Sequence, residues 1–150
     1  MNKKEQYIAF IRKYLTGDAL LWVVAYAIYV HSIDDIIDDE IPNGENKHQF
    51  ILKNFEFAEV VYSNNFYLEN ITRLRPLVKM ASNCYMDSVA LEKSSKPHHK
   101  IIADHLRSNG NEVVLACVEI CNGIDIRNKA SLELREISYS THHDQLGNPV

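Results

Sequence analysis

The sequence predicts an all-α fold, and three observations predict it. Apolar residues recur at helical spacing over most of the 150 residues. No segment alternates apolar and polar residues with the period of a strand, and no internal repeat is visible. With 46% hydrophobic residues the chain is globular and long enough to bury a real core. The expectation is a single-domain bundle of five to six mostly antiparallel helices over residues 1–140, with a flexible C-terminal tail over residues 141–150.

The first helix runs from about Lys3 to Leu15, with Tyr7, Ile8, Ile11 and Leu15 on one face. Thr16-Gly17-Asp18 ends it and caps the second. The second carries the uncharged run Leu20–Val30, then an acidic run, and stops before Pro42-Asn43-Gly44. A third covers roughly Lys47 to Tyr62, with Phe50, Ile51, Phe55, Ala58 and Val61 as its inward face, and Ser63-Asn64-Asn65 closes it. A fourth runs from about Phe66 to Lys93, with Pro76 marking a kink or a fresh start. Ser94-Ser95-Lys96-Pro97 caps a fifth helix, which runs to Ser108. Asn109-Gly110-Asn111 closes that one and caps a sixth, which begins at Glu112 and continues past Gly123 toward Ile137.

Composition narrows the function classes. A net charge of −4 without a basic face of sufficient size argues against nucleic acid or an anionic membrane surface as the main partner. The run Leu20–Val30 is shorter than the roughly twenty residues that span a bilayer, so it reads as a core helix and no transmembrane segment is expected. The start of the chain lacks the pattern of a signal peptide. Cys84, Cys117 and Cys121 have no metal-finger spacing and read as buried reduced thiols of a cytoplasmic protein.

The most informative stretch is His31-Ser-Ile-Asp34-Asp35-Ile-Ile-Asp38-Asp39-Glu40. At about 100° per residue, His31, Asp34, Asp35, Asp38 and Asp39 fall on one side, while Tyr29, Val30, Ile33, Ile36 and Ile37 fall on the other. Asp34/Asp38 and Asp35/Asp39 are then like-charge pairs, each costing roughly 0.2–0.5 kcal/mol, near a helix C-terminus that is already negative. A divalent cation would compensate, and Mg²⁺ binds through one or two carboxylates while phosphate oxygens and water fill its other positions. The alternative is a solubilising patch where a buried helix leaves the core.

A second constellation lies on the sixth helix. Glu112, Ala116, Glu119 and Gly123 share a face, with Asn122 to one side and Asp125 beyond, and the small residues around Glu119 would admit a ligand or a helix. Glu119 and Asn122 are thus candidate metal ligands facing Asp34 and Asp38. Glu56 and Glu59 are a rival pair, which antiparallel packing could bring beside Asp35 and Asp38. If neighbours alternate in direction, the acidic end of the second helix also collects Asp87, Glu92, Lys96, His98, His99 and Lys100. Lys100, Arg127 and Lys129 are the nearest basic candidates for diphosphate oxygens. Trp22, Tyr26 and Tyr29 could offer π faces to a cation, though such aromatics are more often core. His142-His143-Asp144 lies in the expected tail and carries no site.

Ala27-Ile-Tyr-Val-His31-Ser-Ile-Asp34-Asp35-Ile-Ile-Asp38-Asp39-Glu40 resembles the first aspartate-rich motif of class I isoprenoid synthases, above all the squalene and phytoene synthase branch. The resemblance implies a terpenoid-synthase-like helical fold in which two acidic motifs hold Mg²⁺ (or Mn²⁺) around a prenyl diphosphate. It assigns the catalytic metal role to Asp34, Asp35 and Asp38, with Asp39 as an extra acid. The second motif of that branch, roughly Gln-x-x-Asn-x-x-Arg-Asp-x-x-x-Asp, has its nearest counterpart in Glu119-Ile-Cys-Asn122-Gly-Ile-Asp125-Ile-Arg127. This keeps the Asn, has Glu in place of Gln and lacks the Arg-Asp pair. The function implied is Mg²⁺-dependent binding, and transferase turnover, of a small-molecule diphosphate, with a homodimer as one way to complete a half-sized site.

Two other readings stay open. Asp35-x-x-Asp38 followed by Glu56-x-x-Glu59 is similar to the paired acidic motifs of all-α nucleotide pyrophosphohydrolases, where Mg²⁺ activates water against a nucleoside triphosphate. A non-catalytic helical protein that binds a metal or a partner through the acidic patch is the third.

Overall fold

The computed structural model describes residues 2–41 and 46–142, and for residues 139–142 the backbone alone. Among the described residues the fold is all-α, with eight helices and no strand. The expected turn at Pro42-Asn43-Gly44 and most of the expected tail, including His143 and Asp144, lie outside them. The helices are α1 (Lys3–Tyr14), α2 (Gly17–Ile37), α3 (Lys47–Ser63), α4 (Asn65–Glu69), α5 (Ile71–Glu92), α6 (Pro97–Ser108), α7 (Asn111–Asn122) and α8 (Ile124–His142). They form two compact units, one of α2–α4 and one of α1 with α5–α8.

Two breaks account for the excess over six helices. The expected helix from Phe66 to Lys93 divides at Asn70, not at Pro76. The Asn70 amide donates to the Phe66 carbonyl at 2.9 Å and ends α4, while Pro76 sits inside α5. Proline there removes only the bond to the Thr72 carbonyl, and Thr72 is exposed to water. The expected helix from Glu112 to Ile137 divides at Gly123, whose φ of 90° and ψ of 172° suit glycine and little else. α8 folds back on α7 as a result. The alternation of directions counted over six helices is therefore not that of this chain.

In the α2–α4 unit the expected amphipathic pairing forms. The Trp22 indole N–H donates to the Val61 carbonyl at 2.8 Å, and the Asn54 amide donates to the Tyr29 carbonyl at 3.3 Å. These contacts set α2 and α3 antiparallel, with residue 22 opposite 61 and residue 29 opposite 54. Val61 is fully buried, but Phe55, expected inward, is 67% exposed. Asn54 takes the inward position, and Phe55 follows it by about 100° around the helix.

The other unit is centred on α7. Val113 to Val118 are six consecutive buried residues, so this helix is covered all round, and α1, α5 and α8 all pack on it. The Asn2 and Glu5 side chains form a reciprocal capping box at the start of α1. Tyr14 Oη donates to Glu133 Oε2 at 2.6 Å and joins α1 to α8. Arg107 clamps α6 to α5, with Nη2 donating to Glu92 at 2.8 Å, Nε donating to Ser88 Oγ at 3.1 Å and the guanidinium over the Tyr85 ring.

Candidate acidic site

The acidic run lies where α2 ends, and its backbone shows how the chain tolerates it. Asp38 caps the helix with right-handed backbone angles, and Asp39 turns left-handed at φ 59°. The Glu40 N–H then donates to the Asp35 carbonyl at 2.9 Å and the Asp39 N–H to the Ile36 carbonyl at 3.4 Å. This is a Schellman closure with aspartate where glycine is usual. Asp34 and Asp38 stay one turn apart, with the Asp38 N–H bonded to the Asp34 carbonyl at 2.9 Å. Asp39, expected to stack on Asp35, leaves the helix instead. One of the two expected like-charge pairs is thereby removed.

Asp34 and Asp35 are half-buried, and Asp38, Asp39 and Glu40 are exposed. The Lys47 ammonium lies 3.7 Å from Asp39 with both side chains largely in water, a contact of little energetic weight. Among the described residues no three His, Cys, Asp or Glu side chains converge on a point that could hold a metal. An ion there would take one or two carboxylates and complete its shell with water or a phosphorylated ligand.

The remaining candidates divide between the units. Glu56 and Glu59 share the α2–α4 unit with the aspartates, but the α2–α3 register sets them opposite Ala27 and Val24. Glu56 lies about eight residues, or roughly 12 Å, along α3 from the position facing Asp35. The expected placement beside Asp35 and Asp38 is not what forms. Trp22 has no exposed surface and stacks on Tyr26 and on Tyr67, each at 5.3 Å. Its role is core, and Tyr29 meets Tyr62 edge-on.

Glu119 and Asn122 lie on α7, in the other unit. Glu119 forms an ion pair with Arg73 of α5, a partner that nothing in the spacing of either helix announces. The Asn122 amide donates to the Tyr14 carbonyl at 2.8 Å and the Val118 carbonyl at 3.2 Å, so it caps the end of α1. Arg127 donates to Glu112 at 3.2 Å, and Arg135 reaches the same carboxylate at 2.8 Å. Glu92, grouped by alternation with the acidic end, is held by Arg107. Lys100 and Lys129 are exposed on α6 and α8. His98 is exposed, and its ring meets that of His99 edge-on.

Of the three cysteines expected to be buried, Cys117 is, while Cys84 is half-buried and Cys121, in the last turn of α7, is exposed; burial pushes the Cys117 thiol far above the usual range, with Cys121 adding to the effect. It is inert as a nucleophile. α2, at 21 residues, is by length and composition long and apolar enough to cross a membrane, a longer span than the Leu20–Val30 run alone.

No protein-family model, curated protein or solved structure matches this chain.

Proposed function

We propose that the C-terminal end of α2 binds Mg²⁺ or Mn²⁺ and, through it, the diphosphate of a small isoprenoid molecule. The observation that carries this reading is the vertical pair Asp34 and Asp38 with Asp35 beside it at the closing turn of an apolar helix, where no basic residue occupies the last turn. Hard carboxylate oxygens in that number suit an ion that retains water and accepts phosphate oxygens. Asp34, Asp35 and Asp38 are the ligands, and Asp39 is a further acid on the turn. The isoprenoid substrate class rests on the likeness of this segment to the aspartate-rich motif of isoprenoid synthases.

The metal, when bound, neutralises the diphosphate and stabilises charge developing on it as a leaving group. The protein supplies the anionic shelf and the orientation given by the Schellman turn. Glu119 is paired with Arg73, and the Asn122 amide donates to the Tyr14 carbonyl.

Calorimetric titration of Mg²⁺ with and without pyrophosphate tests the reading. Binding is expected to tighten when pyrophosphate is present, and Asp35→Asn is expected to abolish it while leaving the helical circular dichroism unchanged. Pyrophosphate release from a prenyl diphosphate, compared with a nucleoside triphosphate, then distinguishes transferase-like from hydrolase-like turnover. Absence of Mg²⁺ uptake under either condition refutes the assignment.

A further inference from the structure

The molecule carries an exposed apolar knob flanked by Glu56 and Glu59 on α3 and an open apolar groove beside Arg75 and Lys79 on α5, and nothing so far accounts for either. Phe55 is 67% exposed and Leu52 50% exposed. Glu56 and Glu59 lie on the same outer side of α3, within about 100° of both. The segment Thr16–Asn70 that holds this face contains ten carboxylates against two lysines. On α5, Pro76, Met80, Asn83 and Cys84 line a groove of about 470 Å³, with Arg75 and Lys79 at one end and Asp87 at the other. The segment from Ile71 to Ser108, which holds it, contains seven lysines and arginines against three carboxylates. Among the described residues none of Glu56, Glu59, Arg75 or Lys79 is satisfied by an ion pair.

The two faces complement each other in shape class and in sign. Met80 Sδ and Cys84 Sγ lie 3.8 Å apart, which gives the groove a polarisable sulfur lining suited to an aromatic ring. Arg75 and Lys79 are four residues apart and Glu56 and Glu59 three, so a one-turn basic pair can meet a one-turn acidic pair. A fully buried phenylalanine removes roughly 150–250 Å² of apolar surface from water, enough to anchor a small interface.

We infer that this chain self-associates head to tail, with Phe55 of one copy seated in the α5 groove of a second copy and Glu56 and Glu59 meeting Arg75 and Lys79. The contact joins two different faces, so each copy retains one free knob and one free groove.

Sedimentation velocity on the full chain tests this at about 50 mM and about 500 mM salt. The weight-average mass should rise with concentration at low salt, and the association constant should fall by about tenfold or more at high salt. Phe55→Glu and the double variant Arg75→Glu/Lys79→Glu change only exposed side chains. Each should be folded and monomeric alone. Mixed one to one they should form a dimer that grows no further, since only one intact knob and one intact groove remain to meet. A wild-type chain that stays monomeric at about 100 µM, variants that assemble as wild type does, or a mixture that stays monomeric would each overturn the inference.

Discussion

The indole N–H of Trp22 on α2 donates to the main-chain carbonyl of Val61, 39 residues away in sequence, at 2.8 Å and out of reach of solvent. Val61 is in the last turn of α3, where carbonyls lack a partner within the helix. The indole thus closes the end of one helix from the middle of another, and Tyr26 and Tyr67 fix its plane by stacking.

Trp22→Phe keeps an aromatic ring and removes the donor. It should destabilise the α2–α4 unit by about 1–3 kcal/mol, the cost of a buried carbonyl without a partner. Urea unfolding followed by circular dichroism is the measurement, since the variant has no tryptophan left for fluorescence.

Asp39→Gly should stabilise the chain by about 0.5–1 kcal/mol, because a left-handed φ of 59° strains aspartate and not glycine. The same variant should bind Mg²⁺ less tightly than wild type but more tightly than Asp35→Asn. A melting temperature that fails to rise would show that the aspartate side chain supports the turn.

Two glycine substitutions should act with opposite sign. An added Cβ at Gly123 meets nothing within 4 Å, but its φ of 90° does not suit an L side chain, so Gly123→Ala should cost about 1–3 kcal/mol. Gly110 is helical at φ −58°, and its new Cβ would meet only the Arg107 carbonyl at 3.5 Å. Gly110→Ala should gain about 0.4–1 kcal/mol. Paired denaturation curves decide both.

The Tyr14 hydroxyl, followed by the Lys13 ammonium, holds the Glu133 carboxyl below its ordinary value of 4.5. A lowered folded-state value means that ionised Glu133 stabilises the fold above about 4.5 and that this contribution fades as pH falls through the lower folded value. The side chain is 37% exposed, so solvent screening limits the effect to under about 1 kcal/mol. Glu133→Gln should flatten this part of the acid limb of the stability profile and leave its neutral region slightly lowered.

What the sequence made legible is what local periodicity encodes. The α1 and α6 boundaries and the buried Trp22, Val23 and Tyr26 of α2 follow from short-range rules, and they form, whereas the expected caps leave Thr16, Lys96 and Gly110 at the starts of α2, α6 and α7 without a side-chain capping bond. Asn70 and Gly123 are harder, because a single polar or glycine residue inside a long periodic run reads equally as a tolerated break or a turn; the bonds of Asn70 to the Phe66 carbonyl select the first break and the packing of α8 on α7 the second. The exposure of Phe55 was hidden for a similar reason: the period admits either Asn54 or Phe55 inward, and the hydrogen bond from Asn54 to Tyr29 decides. In the candidate site the aspartates were conspicuous by charge alone. The partners of Glu119 and Asn122 were not, since Arg73 and the Tyr14 carbonyl lie far along the chain and no spacing rule connects them.

α1 closes on α7 and α8 through residues more than a hundred positions downstream, as Tyr14 does with Glu133. During synthesis α1 is therefore made before the helices α7 and α8 on which it packs and must wait for them. Phe10, Ile11 and Leu15 stay without their final neighbours until α8 has left the ribosome. Refolding of the α1 and α5–α8 unit should accordingly be limited by that long closure, while the α2–α4 hairpin, built from near neighbours, is free to form early.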